Sequence, residues 1–131
     1  MSLINAYKEV ASRSLVAARA MLVASLQETA VFKAYHAFES IGGALSTSHG
    51  NTYPRSHSRK LNQFVTLVPN HHRHAVSALA IQLSALRNAA LYPLVQPSGD
   101  VQCPKDRWTG AQAAELVRRV NGIVRKVARS V

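Results

Sequence analysis

The sequence predicts an all-α domain, an up-and-down bundle of four long helices and one short one, and three observations carry that expectation. Apolar residues recur three or four positions apart along most of the chain, and no stretch alternates with the period of a strand. Aromatic residues make up only 6% of a composition that is 47% apolar, so the core must rest on Ala, Val and Leu, which suits closely packed helices. At 131 residues the chain is long enough to bury a core and is expected to form a single domain over 1–131.

The first helix is predicted from Leu3 to about Leu26, where Ile4, Tyr7, Ala11, Leu15, Ala18 and Leu22 fall on one stripe and Lys8, Glu9, Arg13 and Arg19 lie mostly off it. A second periodic stretch, "TAVFKAYHAFESIGGALST", carries Val31, Phe32, Tyr35, Phe38, Ile41 and Leu45, and the two segments read as an antiparallel hairpin. Gly42 and Gly43 each cost about 1 kcal/mol relative to Ala inside a helix, so a neighbour must approach them closely, within the chain or from a second subunit.

Residues 48–58, "SHGNTYPRSHS", collect turn formers and predict the first loop, with His57 inside it. A short helix follows, with Leu61, Phe64, Val65 and Val68 on one face, and stops at Pro69-Asn70. The next helix presents Val76, Leu79, Leu83, Leu86 and Ala90; Arg87 and Asn88 close its apolar pattern, and Tyr92-Pro93 mark where the chain leaves it. Residues 93–108 hold three of the five prolines and no helical period, a second loop long enough to be functional or mobile. The last helix opens on Thr109 and Gln112, a Thr-x-x-Gln capping box, and turns Leu116, Val117, Val120, Ile123, Val124 and Val127 inward.

With 16 Lys/Arg against six Asp/Glu the formal net charge is +10, which favours a polyanionic partner such as a nucleic acid. A single cysteine, Cys103, rules out an intrachain disulfide and fits a reducing compartment; nothing around it forms a thiol-enzyme signature. Charges interrupt every apolar run near the start, so neither a signal peptide nor a membrane span is expected, and the expected location is cytoplasmic.

The cluster "NHHRH", Asn70 to His74, lacks the Cys or carboxylate that would complete a coordination shell; it reads as a solvated helix start, and neither metal nor cofactor is expected. The last helix carries Arg118, Arg119, Arg125, Lys126 and Arg129 off its apolar face, a stripe that can contact phosphates without any sequence motif. Base stacking asks for exposed aromatics, and Trp108 and Tyr53 are the only loop candidates, so strong single-strand recognition by stacking alone is not expected. Arg87 differs in kind, because it follows twelve uncharged residues, Ala75 to Leu86. A cation near a helix C-terminus is stabilised by the helix dipole, and a guanidinium grips a phosphate through two parallel hydrogen bonds.

Three stretches, "AVFKAYHAFESIGGALSTSHG", "SHSRKLNQFVTLV" and "ALRNAALYP", resemble the HEPN superfamily, small helical bundles of prokaryotic toxin and antitoxin modules and RNA-processing systems. The resemblance covers residues 3–128 in architecture. It implies a homodimer whose paired motifs build one cleft for metal-independent endoribonuclease chemistry, with an arginine on the scissile phosphate and a histidine assisting attack by the RNA 2′-hydroxyl. Arg87 is similar to the family's arginine and Asn88 to the polar residue after it. The sequence departs where the histidine belongs: Leu91, Tyr92, Pro93 and Leu94 stand there instead. Tyr92 offers a hydroxyl donor, but a phenol is a poor base near neutral pH. A missing imidazole removes a contribution of roughly 10² to 10⁴ in rate, unless His36 or His57 reaches the cleft from elsewhere.

The resulting expectation is a HEPN-like RNA-binding protein with weak or lost endoribonuclease activity, belonging to a toxin-antitoxin or defence module. Its alternatives are an active metal-independent endoribonuclease and a helical interaction module that pairs with a nucleotidyltransferase-type protein or an antitoxin.

Overall fold

A computed structural model describes residues 1–131 and contains five α-helices: α1 (Leu3–Val23), α2 (Gln27–Ser48), α3 (His57–Leu67), α4 (Asn70–Leu91) and α5 (Gly110–Ser130). It is an all-α helical bundle, with four long helices and a short one, and no helix is long and apolar enough to cross a membrane.

Helix α1 starts at Ser2, whose hydroxyl accepts from the Asn5 amide at 3.1 Å. It ends three residues before the predicted Leu26, because Ser25 takes a left-handed φ of 60° and Leu26 then hydrogen-bonds back to the Met21 carbonyl. So tight a reversal forces α2 to return antiparallel along α1.

Helix α2 is the centre of the bundle, packing against α1, α3, α4 and α5. That explains why Ala30, Val31, Ala34, Ala37, Phe38, Ile41 and Ala44 are all buried although they circle more than one face of the helix. Both glycines have internal neighbours. A Cβ on Gly43 would stand 2.7 Å from the Tyr7 ring, and one on Gly42 would stand 2.8 Å from the Tyr53 hydroxyl and 2.9 Å from the Phe64 ring. The small-residue patch therefore serves packing within the chain.

Ser56 caps α3 by accepting from the Arg59 amide at 3.2 Å, which makes His57 the first helical residue rather than a loop residue. The corner between α3 and α4 is closed by Arg73. Its guanidinium donates to the carbonyls of Val65 (3.1 Å), Thr66 (3.0 Å) and Val68 (3.1 Å), the groups that the end of α3 leaves unpaired. Arg73 thus gives the solvated "NHHRH" start a structural task.

Helix α4 continues a full turn beyond Arg87 to Leu91, and the chain leaves it at Tyr92, extended at φ −130° and ψ 146° ahead of Pro93. The second loop is not structureless, contrary to the expectation from sequence. Strands β1 (Leu94–Val95) and β2 (Val101–Gln102) pair antiparallel around a tip where Gly99 has φ 89°, and a 3-10 turn follows at Pro104–Asp106. Two-residue exposed strands are too short to show a period.

The predicted capping box is present: the Thr109 hydroxyl accepts from the Gln112 amide at 3.1 Å, and the Gln112 side chain accepts from the Thr109 amide at 2.9 Å. Twenty-seven apolar residues form one core, made mostly of Ala, Val and Leu.

Candidate functional site

Helical spacing assembles a polar cluster at the centre of the molecule. Tyr35 and Glu39 are one turn apart on α2, His57 and Lys60 one turn apart on α3, and the two helices pack with these faces together. Glu39 sits in the middle, with its side chain only 10% exposed. Its Oε2 accepts from the Tyr35 hydroxyl at 2.7 Å and from His57 Nδ1 at 2.7 Å, and its Oε1 accepts from Lys60 Nζ at 3.0 Å. The Tyr53 hydroxyl donates to the Glu39 backbone carbonyl, fixing the first loop to α2.

Burial by itself would raise the carboxyl of Glu39. The hydrogen bonds from His57, Tyr35 and Lys60, with the positive charge of Lys60, outweigh it and hold the group below the usual carboxylate range. Glu39 is therefore an ionised acceptor, and the His57 ring bonds to it through an Nδ1 hydrogen. In a neutral ring that tautomer leaves Nε2 as the acceptor, on a side chain that is 46% exposed. Burial, then the Glu39 bond and its charge, push Tyr35 well above its ordinary value, so it remains a neutral donor; Arg87 opposes this shift. Burial pushes Tyr53 up as well.

Arg87 approaches the same cluster from α4. Its guanidinium carbon lies 5.9 Å from the centre of the Tyr35 ring, and the His57 ring meets the same tyrosine edge-on at 6.0 Å. Arg87 is half-buried, and no carboxylate pairs with it. Its Nη1 makes one long bond to Asn88 Oδ1, at 3.3 Å, while its Nε is enclosed without a partner. A half-buried guanidinium with uncommitted donors is suited to receive an oxyanion.

The other residues singled out from sequence divide between this cluster and the remaining surface. His36 is exposed on α2 beside a cavity of about 260 Å³ that Glu39 and Lys60 also line. Asn88 is exposed next to Arg87, and Tyr92 is 61% exposed beyond the end of α4. The α5 cations stay apart from the cluster. Arg118 is held by Glu115 in a two-bond pair at 2.6 and 2.9 Å, Arg119 donates to Gln82 at 2.7 Å, and Arg125, Lys126 and Arg129 are exposed. The His71 and His72 ring centres lie 3.9 Å apart at the start of α4, tilted by 48°, but no three His, Cys, Asp or Glu side chains gather there or elsewhere.

Sequence reasoning missed Glu39, Tyr35 and Lys60 as members of the site. One signal was available: Glu39 is the only acidic residue between Glu28 and Asp100, in a segment that holds six Lys/Arg. A lone carboxylate on the apolar face of a helix, among so many cations, calls for partners. Compared with known proteins, the chain matches no family model, no curated sequence and no solved structure.

Proposed function

We propose that this chain is a HEPN-like RNA-binding domain in which Arg87 receives a backbone phosphate. The observation that carries the reading is the half-buried Arg87 guanidinium, whose terminal nitrogens make one long bond, to Asn88, and which no carboxylate neutralises. A phosphate can accept from those terminal donors, and the net charge of +10 draws a polyanion to the surface. Binding of labelled single-stranded RNA across a salt series tests it. Affinity should fall steeply with salt and weaken in Arg87→Ala; RNA binding indifferent to both would reject the site.

Metal-independent RNA cleavage is the second reading, and the His57–Glu39 pair favours it. An imidazole whose Nδ1 is held by a carboxylate presents Nε2 as a base, and His57 packs on the same tyrosine that Arg87 faces. His57 would take the proton of the 2′-hydroxyl as its oxygen bonds to phosphorus; the bond to the 5′-oxygen breaks, and that oxygen takes up a proton. The products are a 2′,3′-cyclic phosphate and a 5′-hydroxyl, with Arg87 neutralising the charge at phosphorus. Cleavage in EDTA that requires both Arg87 and His57 supports this reading, and RNA retained intact leaves the domain a binder with lost catalysis. A homodimer, a toxin-antitoxin or defence module, a nucleotidyltransferase-type or antitoxin partner and a cytoplasmic location belong to the same HEPN reading. Solution mass tests the first of them.

A further inference from the structure

The cavity of about 260 Å³ beside Glu39 has a chemistry of its own. Tyr7 and Val10 of α1 form one side, His36 and Ser40 of α2 another, and Lys60 closes it from α3. Tyr53 lines it too, meeting Tyr7 edge-on at 5.6 Å, and Lys60 Nζ lies 5.4 Å from the centre of its ring. The charges cancel locally, because Lys60 is bonded to Glu39 in the same wall. Such a cavity has no net attraction for a phosphate, unlike the surroundings of Arg87. It offers two tyrosine rings set at 78° to each other, an exposed histidine, an ammonium donor and, in Ser40, a hydroxyl on a residue only 6% exposed. Those are the features that take up an uncharged planar heterocycle with ring donors and acceptors.

A chain of side-chain contacts connects the cavity to Arg87. Glu39 lines it and bonds His57, and His57 packs on the tyrosine that Arg87 faces. We infer that the cavity is a nucleobase subsite: one unpaired base of a single-stranded RNA enters at His36, between Tyr7 and Lys60, while a backbone phosphate of the same strand lies at Arg87. This inference rests on the RNA-binding reading above and adds to it that one base is read.

The probes are short, end-labelled oligoribonucleotides of A, of C and of U, and a matching oligomer with abasic riboses, followed by fluorescence anisotropy. The wild-type protein should bind base-bearing oligomers about tenfold tighter than the abasic one. Val10 is 40% exposed, so Val10→Trp places a ring over the mouth without entering the core. This variant, and the exposed His36→Ala to a lesser degree, should lower the affinity for base-bearing oligomers toward that for the abasic one and leave the abasic affinity unchanged. Unaltered thermal melts would show that both variants fold. Equal wild-type affinity for abasic and base-bearing oligomers overturns the subsite, and so does a preference that survives both substitutions. If Arg87→Ala still weakens binding in those cases, the RNA reading stands without the subsite; if no oligomer binds at low salt, both fall.

Discussion

His57 Nδ1 lies 2.7 Å from Glu39 Oε2, so the first residue of α3 is fixed by a carboxylate in the middle of α2. The bond decides both the orientation of the imidazole and which of its nitrogens is free. If the protein cleaves RNA, His57→Ala should lower the single-turnover rate in EDTA by roughly 10² to 10⁴, because it removes the proton acceptor. Glu39→Gln should lower it by as much as about 10⁴-fold, because an amide holds the ring less firmly and does not favour the imidazolium. Dissociation constants measured separately should change little in Glu39→Gln. A variant that loses binding and rate equally would assign the carboxylate a packing role only.

Arg87 and Arg118 make different predictions about salt. The charge of Arg118 is already committed to Glu115 through two hydrogen bonds, whereas Arg87 has no anionic partner. In a plot of log affinity for single-stranded RNA against log salt, Arg87→Ala should reduce the slope by about one unit, as expected for a lost phosphate contact. Arg118→Ala should reduce the slope by less, because the neighbouring Glu115 carboxylate offsets its charge. The reverse order of effects would move the RNA contact to α5.

The depressed carboxyl of Glu39 makes stability depend on acid in a definite direction. A group ionised more readily in the folded than in the unfolded state adds stability above its ordinary value, here 4.5, and loses it as pH falls through the folded value. The urea midpoint should therefore be flat near neutrality and drop below about pH 4.5, where protonated Glu39 no longer accepts from His57, Lys60 and Tyr35 together. Glu39→Gln should be less stable at pH 7, by about 2 kcal/mol, with a shallower acid limb. Glu115 is lowered too, by its bond to Arg118, but that pair is exposed and moderate salt removes most of its share. An acid limb as steep in the variant as in the wild type would reject Glu39 as its source.

Helix periodicity made the bundle legible, because each apolar stripe reports a buried face without reference to its partner. Gly42 and Gly43 likewise announced close neighbours without naming them; only the fold supplies Tyr53, Phe64 and Tyr7. The site was half legible. Arg87 and His57 stood out as single residues, but the carboxylate between α2 and α3 unites groups 18 and 21 positions apart. Pairing over such distances leaves no period in a sequence. The end of α4 was legible at Tyr92-Pro93, although Arg87 and Asn88 close the apolar pattern a turn earlier. Ala89 and Ala90 favour continued helix, and the ring of Pro93 sets the end by forbidding helical geometry at Tyr92.

Gly43 and Gly122 provide a test of whether α1 and α2 meet as described. Both are helical, so alanine at either gains up to about 1 kcal/mol in helix propensity. At Gly122 nothing lies within 4 Å of an added Cβ, and Gly122→Ala should be stabilised by that amount. At Gly43 three atoms of the Tyr7 ring lie 2.7 to 2.9 Å from the added carbon. The ring cannot retreat freely, because it packs against Tyr53, whose hydroxyl is tied to the Glu39 carbonyl. Overpacking of this kind costs about 1–3 kcal/mol and exceeds the propensity gain, so Gly43→Ala should be less stable by roughly 1–2 kcal/mol. In a Tyr7→Ala background the obstacle is absent and the same substitution should become neutral or stabilising. Denaturant midpoints of the two single variants and the double variant measure the coupling directly. Equal effects of Gly43→Ala with and without the tyrosine would mean that Tyr7 does not pack on α2 at this glycine.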